Sequence, residues 1–367
     1  MTAPAGTAAA ERGHVLVLNA GSSSLKASVH MPAGDGLWRD QRRWSPFETG
    51  GSGREAPLEA VLDGWLREAL APWSDGLVLA GHRVVHGGER FTAPTRLDPE
   101  VLAELETLVP LAPLHNAPAL RVMRWLGRWK PELEQWACFD TAFHVTLPPE
   151  ARTYAIPAPW RATGLRRFGF HGLNHQHVAE AVARRHVDPA GRASLRLISC
   201  HLGAGCSLCA IRGGRSIATT MGYTPLEGLV MATRSGSVDP GLLLHQLRRG
   251  LSVESLDRAL QKESGLLGLS GLSAGMEELR VAAAQGHAGA RLAIDVFRHQ
   301  LLQGIGAMAA SLGGVDVIAL SGGIGEHDDT LRQELEERLA WLRPFELLRI
   351  PADEEGMIAR NCRRAMG

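Results

Sequence analysis

The sequence predicts an α/β protein built from two domains. Three observations carry that expectation. Strand-like apolar runs alternate with helical ones along the 367 residues. Apolar residues make up 45% and charged residues 21%, ordinary for a globular chain long enough for two or three domains. A stretch with four prolines and no long periodic element, 148–166, divides the pattern into halves, which places the domains at 14–147 and 148–354.

The elements follow in order. His14 to His30 reads as strand, polar turn, strand, a hairpin that opens a sheet. Residues 31–57 read as loop with an edge strand. Residues 58–70 have helical spacing, with Leu58, Val61, Leu62, Trp65, Leu66 and Ala69 on one face. A buried strand from Gly76 to Val85 runs into Gly87-Gly88. Helices are expected over 99–109 and 117–129, and a short strand, Trp136 to Phe139, ends at Asp140. In the second half a helix over 174–186 precedes a strand from Leu195 to Cys200. That strand turns at His201–Gly205 and returns as Cys206 to Ile211, with a further turn and strand after it. Helices follow over 240–248, 252–261, 275–285 and 287–312. Val315 to Leu320 is a buried strand ending in Ser321-Gly-Gly-Ile-Gly-Glu326, with a helix over 329–340. The hairpins 17–29 and 199–211 share one plan about 180 residues apart. Two matches leave both a repeat and two ordinary hairpins open.

Charge excludes some classes. Lys+Arg and Asp+Glu are 39 each. No basic excess exists to track nucleic acid or an anionic membrane. No segment reaches the ~18 apolar residues of a membrane span, and the polar start reads as a frayed tail, without the pattern of a secretory signal. Five cysteines are an odd and small number that fits a reducing cytoplasm. Cys206 and Cys209 have half the spacing of a zinc site, but no second pair exists, and they read as structural thiols.

Glycine, 42 residues, is in excess and clustered. Three Gly/Ser-rich turns follow strand ends: Asn19–Lys26, His201–Gly205 and Ser321–Gly325. Each alone reads first as an ordinary turn. Together they point to a phosphate cradle, because glycine lets backbone amides approach an anion, and the third turn precedes a helix. Ser22, Ser23, Ser24 and Lys26 add hydroxyls and an ammonium. None of the turns has the P-loop spacing. Arg83 lies inside an apolar strand and needs a partner, internal or substrate. Arg234 lies in a loop before a helix, where arginines are also commonly solvated. Two arginines aimed at one site could hold a carboxylate and a transferring phosphoryl group. Asp140 stands at a strand end, His171 between glycines and His115 in a stretch flanked by prolines, positions that also suit structural polar groups.

At these residues an ordered series of motifs resembles the acetate kinase family, within the sugar kinase–Hsp70–actin superfamily. The series runs Asn19-Ala-Gly-Ser-Ser-Ser-Leu-Lys26, Gly81-His-Arg-Val-Val-His-Gly-Gly-Glu89, Leu111-Ala-Pro-Leu-His-Asn116, Phe139-Asp-Thr-Ala-Phe-His144 and Gly169-Phe-His-Gly-Leu-Asn-His175. It continues with His201-Leu-Gly-Ala-Gly205, Met221-Gly-Tyr-Thr-Pro-Leu-Glu-Gly228, Thr233-Arg-Ser-Gly-Ser-Val-Asp-Pro240, Ser321 to Glu326 and Glu354-Glu-Gly-Met-Ile-Ala-Arg360. The resemblance implies two duplicated actin-like (ribonuclease H-like) domains with an interdomain cleft, the 355–367 segment packing back on the first domain, and a homodimer. It implies reversible transfer of the ATP γ-phosphoryl group to a short-chain carboxylate, acetate foremost, with Mg²⁺ or Mn²⁺; propionate or butyrate, or another phosphoryl donor, is the alternative. By the same resemblance Arg83, Asp140, His171 and Arg234 are catalytic. Val85, Leu114, Phe170 and Pro225 line the acyl pocket beside Arg83. Ser22, Ser24, Lys26, His201, Gly203, Gly205, Gly322, Gly323 and Gly325 hold phosphates, and Asn19 and Glu354 support the metal.

The chain departs from that family's usual pattern at Ala204, Ala218, Gly275, Glu277 and His327. All five fall on the donor side. They lead to the expectation that carboxylate phosphorylation is retained and nucleotide preference is altered: weaker ATP binding, another nucleotide, or pyrophosphate.

Overall fold

The computed structural model describes residues 13–21, 24–31, 34–44, 56–186 and 193–366. The amino-terminal tail, Ser22 and Ser23, and much of the 31–57 stretch fall outside these residues. The chain divides into two compact units: one comprises the chain up to Phe143 with the segment from Asp353 onward, the other His144–Ala352.

The first unit is built on a sheet of order β3-β2-β1-β4-β6-β5. Its strands are β1 (His14–Ala20), β2 (Ser24–His30), β3 (Gly36–Arg43), β4 (Leu77–Val84), β5 (Thr95–Arg96) and β6 (Glu134–Phe139). The β1–β2–β3 run is antiparallel; β4 pairs in parallel with β1 on one side and β6 on the other. Val15, Leu16, Val17 and Leu18 are fully buried, so β1, between antiparallel β2 and parallel β4, is covered on both faces. The expected edge strand is β3, whose exposed polar residues suit an edge. The helical stretch 58–70 forms but contains a π turn at Leu62–Leu66. The helix expected from 117 begins earlier, at Pro113, whose missing N–H costs nothing at a first turn. The helix Glu354–Met366 lies against β4 at Gly81, where a Cβ would come within 2.6 Å of Ile358 Cγ2 and 2.9 Å of Cys362 Sγ. Glycine there is what allows this close approach.

The second unit has a sheet of order β11-β10-β7-β8-β9: β7 (Arg196–Leu202), β8 (Cys206–Arg212), β9 (Arg215–Thr219), β10 (Val317–Ser321) and β11 (Glu346–Arg349). Here too a three-strand antiparallel run, β7–β8–β9, is followed by parallel neighbours β10 and β11. The helix Ala288–Leu312 covers β8, again across a glycine: a Cβ on Gly304 would stand 2.7 Å from Leu208 Cδ1. Cys206 and Cys209 lie three residues apart on one strand and so face opposite sides of the sheet. Among the described residues no cluster of three or more His, Cys, Asp or Glu side chains could hold a metal ion. Two short strands, β5 and β11, and the helix Gly265–Ser270 carried too little periodic pattern to be read from sequence.

Setting β1, β2, β3, β4 and β6 against β7, β8, β9, β10 and β11 gives the same order and the same directions. The shared hairpin plan is therefore one part of a shared sheet plan, which resolves the choice left open above in favour of a repeat. The correspondence extends to register. Asn19 pairs with Lys26 across β1–β2, and His201 pairs with Ser207 across β7–β8. Asn19 and His201 are each next to last on the equivalent strands β1 and β7. No helix among the described residues is long and apolar enough to cross a membrane.

Candidate functional site

In the first unit, the carboxyl ends of three parallel strands bring together residues far apart in sequence. Arg83 is next to last on β4, Asp140 follows β6, Asn19 is next to last on β1, and Glu354 and Glu355 open the last helix. Arg83 donates from Nε to Asp140 Oδ1 (3.0 Å) and from Nη2 to Asp140 Oδ2 (2.6 Å). Its Nη1 donates to Asn19 Oδ1 (3.3 Å) and stands 3.8 Å from Glu354 Oε2. Asn19 Nδ2 in turn donates to Glu355 Oε1 (3.1 Å). The side chains are only 16% (Arg83), 1% (Asp140) and 12% (Glu354) exposed, so the charges act through little water. Burial works against the charge on Arg83, but Asp140 and then Glu354 outweigh it and hold the guanidinium above its ordinary value. The fork geometry fixes the plane of the guanidinium.

Two loops behind this cluster are tied together. His86 N donates to Asn116 Oδ1 (3.2 Å), and Asn116 Nδ2 donates back to the His86 carbonyl (3.0 Å). Gly87 N donates to Thr141 Oγ1 (3.2 Å). Val85, buried, and Leu114, exposed, are thus carried on segments joined by the fully buried Asn116. A Cβ on Gly87 would lie 2.6 Å from the Phe91 carbonyl, so this loop needs its glycine. In the β1–β2 turn, Gly21 N donates to the Ser24 carbonyl (2.7 Å), Ser24 is half-buried and Lys26 is exposed. Ser22 lies outside the described residues.

In the second unit, His171 precedes the helix Gly172–Arg185 with φ +56°, the one non-glycine residue at positive φ among those described. Such a conformation costs energy and persists where surrounding contacts impose it. Phe170, just before it, is buried. The His171 ring stacks obliquely at 4.3 Å from that of His201. Gly205 faces both His171 and Arg234: its Cβ position is 3.0 Å from His171 Nε2 and 3.9 Å from Arg234 Nη1. Arg234 Nη1 donates to the Pro225 carbonyl (3.2 Å). His171, His201, Gly205, Arg234 and Pro225 therefore share one locality.

Backbone bonds hold that locality in place. The 231–234 loop is stitched to 264–267 by Leu266 N to the Met231 carbonyl (2.9 Å), Leu267 N to Ala232 (3.0 Å) and Ser264 N to Thr233 (3.0 Å). Ala232 N also donates to the Ala204 carbonyl (3.1 Å). The part of Ala204 in use is its backbone; its side chain is exposed. Pro225 lies in a loop anchored by Arg167, which donates to the Thr220 and Met221 carbonyls and pairs with Glu227 at 2.6 Å. Arg167, Glu227 and Asn116 were not singled out as site residues. Their partners are distant in sequence, so no local signal marked them.

The turns at Gly203–Gly205 and Gly322–Gly325 are adjacent because β7 and β10 pair, Ser321 opposite His201. A Cβ on Gly203 would be 3.9 Å from Gly323 N. Gly322 has φ +79°, and a Cβ there would come within 2.8 Å of the Leu202 carbonyl. The expected helix start after this turn needs correction. The helix Gly322–His327 has only six residues, and Gly322 N already donates to Glu326 Oε1 (2.9 Å). Its own glutamate occupies that end. The open side is at Gly323, whose Cβ position meets nothing within 4 Å. On the departing segment, Glu277 lies in the first turn of the helix Met276–Ala284, one residue into it. Arg280, one turn on, is engaged by Asp328 (3.1 Å) and Glu334 (3.4 Å).

A divalent cation fits the first unit's chemistry in kind. Glu354 offers a carboxylate and Asn19 an amide oxygen, while both Asp140 oxygens are taken up by Arg83. That set suits Mg²⁺, which takes one or two protein oxygens and fills its shell with water and phosphate. It forms no all-protein cage.

A family model described as "Acetokinase family" matches residues 40–363. An acetate kinase of Synechococcus sp. is 48% identical over 347 residues, 87% of this chain and 85% of that protein. Among solved structures, the acetate kinase of Porphyromonas gingivalis is similar with a TM-score of 0.86 and 32% identity, covering 97% of this chain and 100% of that one. A propionate kinase from Francisella tularensis gives 0.87 and 31%, covering 96% and 99%.

Proposed function

The chain belongs to the acetokinase family, and on that premise we propose that it reversibly transfers the γ-phosphoryl group of ATP to a short-chain carboxylate, acetate foremost, giving an acyl phosphate and ADP. It is a phosphotransferase with a carboxyl group as acceptor. The observation that carries the site assignment is Gly205, bordered by the Arg234 guanidinium and the His171 imidazole. A cation and a ring N–H beside a residue with no side chain leave room for an anion and supply two donors to it.

The chemistry is displacement at phosphorus. A carboxylate oxygen forms the new P–O bond, and the bond from phosphorus to the β,γ-bridging oxygen breaks with its electron pair leaving on ADP. The carboxylate is already ionised near pH 7, so no strong base is needed. Catalysis is then mostly positioning and charge neutralisation. Arg83, locked by Asp140, orients the carboxylate; Val85, Leu114, Phe170 and Pro225 contact its short apolar tail. Arg234 and His171 donate to the equatorial oxygens of the transferring group. Ser24, Lys26, His201, Gly203, Gly205, Gly322, Gly323 and Gly325 receive the donor's phosphates. Asn19 and Glu354 would support Mg²⁺, which when bound neutralises phosphate charge. A homodimer in the cytoplasm completes the proposal; the five cysteines, all free and buried, fit a reducing compartment.

A second reading concerns the donor. Glu277 puts a carboxylate where the family pattern has an arginine, and Arg280 is engaged by Asp328 and Glu334 and does not replace it. This favours weakened ATP preference. The test of the main proposal is hydroxylamine trapping of acyl phosphate from ATP with acetate, propionate or butyrate. We expect product with acetate, abolished in Arg234→Ala; no product with any of the three acids would overturn it.

A further inference from the structure

Behind His171 lies a buried chain of hydrogen bonds that the reaction as described does not use. His171 Nδ1 is 2.9 Å from Ser207 Oγ, Ser207 Oγ is 2.9 Å from His175 Nε2, and His175 Nδ1 is 2.8 Å from Ser199 Oγ. Ser199, Ser207 and His175 are fully buried. Such a chain has two self-consistent proton orders, and the last hydroxyl decides between them. If every proton pointed inward, His175 Nδ1–H would donate to Ser199, and the Ser199 hydroxyl hydrogen would need another acceptor. Among the described residues Ser199 Oγ has no hydrogen-bond partner except His175. A buried donor left unmet costs its full desolvation, so this order is disfavoured. In the other order every donor is met: Ser199 O–H to His175 Nδ1, His175 Nε2–H to Ser207 Oγ, Ser207 O–H to His171 Nδ1. His171 then carries its proton on Nε2, the nitrogen that borders Gly205.

We infer that Ser199, His175 and Ser207 form a positioning relay that holds His171 as the neutral Nε2–H tautomer, with that hydrogen directed toward the phosphoryl-transfer locality. The inference rests on the proposed role of His171. It adds why His171, strained at φ +56°, is oriented as it is, and why two hydroxyls and a second histidine lie behind it. His175 serves in neutral form, as its burial dictates: desolvation, and then the neighbouring His144 and His201, push its pKa well below 6.5. His144 stands edge-on at 5.7 Å from His175 and is itself committed as a donor, from Nε2 to the Phe170 carbonyl at 3.0 Å. The relay therefore has no competing carboxylate among these partners, and tautomer choice follows from hydroxyl geometry.

The experiment is long-range ¹⁵N–¹H correlation on the histidine-labelled full chain, with His171 assigned by its loss in His171→Asn. We expect a single Nε2–H tautomer for His171 in the wild type. In Ser207→Ala we expect both tautomers, with kcat lowered about tenfold, a fraction of the roughly 10²–10³ that losing a whole donor costs, and KM for acetate and ATP within about twofold. Ser199→Ala, farther from the reacting atoms, should shift the tautomer ratio the same way by less, and keeps the relay testable if Ser207→Ala does not fold. An Nδ1–H tautomer in the wild type, or folded variants with an unchanged tautomer, would overturn the relay. A shifted tautomer with unchanged kcat would support the relay and overturn the role of His171 in transfer.

Discussion

Arg83 and Asp140, 57 residues apart, face each other through two parallel hydrogen bonds of 3.0 and 2.6 Å at the ends of adjacent parallel strands. The pair is buried enough to be costly to break and still carries Asn19 and Glu354 on its other side. Removing Asp140 leaves a guanidinium with a lost partner. Asp140→Ala should therefore destabilise the protein, toward the lower end of the roughly 3–5 kcal/mol seen for broken buried pairs, because Arg83 keeps some solvent. Arg83→Ala should lower kcat/KM for acetate by about 10²–10³. Urea titration and hydroxamate kinetics read the two effects separately, and wild-type stability in Asp140→Ala would contradict the first.

Gly205 borders both His171 and Arg234, and an added methyl would sit 3.0 Å from His171 Nε2. Gly205→Ala should fold normally and lose most activity, since the methyl occupies the space an anion needs. Circular dichroism with steady-state kinetics checks this; retained kcat in a folded variant would show the space is not used.

Three buried histidines carry depressed pKa values. Burial lowers His82 and His144 to about 4, and lowers His175 well below 6.5. A histidine with a folded pKa below its unfolded one binds fewer protons when folded, so stability is full above about pH 6.5 and is lost as pH falls through the window from 6.5 toward 4. The slope is up to about 1.4 kcal/mol per pH unit for each such group. Urea midpoints at pH 7.5 and 5.5 should differ accordingly, and His144→Gln should reduce the difference. A flat profile would mean these rings are protonated in the folded protein.

Glu277 and the engaged Arg280 predict a donor-side phenotype. Glu277→Arg should lower KM for ATP several-fold and leave KM for acetate unchanged. Competition among ATP, GTP and pyrophosphate, in wild type and variant, measures it. Tight, exclusive use of ATP by the wild type would remove the altered-donor reading.

The strand ends were legible because they combine a period change with glycine. The alternation in 14–30 and 195–211 marked both hairpins, and the glycines after β4, β7 and β10 marked the turns. Arg83 and Asp140 stood out as charges at the ends of apolar runs. Asn116, Thr141, Arg167 and Glu227 did not, because each acts on a segment tens of residues away: Asn116 on the His86 backbone, Arg167 on the Thr220 carbonyl. The short β5 and β11 carry too few residues for a period to show.

The sequence by itself determined the α/β alternation, the motifs and their order, because apolar period and turn chemistry are local. Only the tertiary structure decided which side chains meet, that the two sheets share one strand order, and that a hydroxyl–imidazole chain runs from Ser199 to His171. Strand pairing is set by burial across the whole sheet, and a proton's place on a ring is set by its partners, which composition and spacing do not contain.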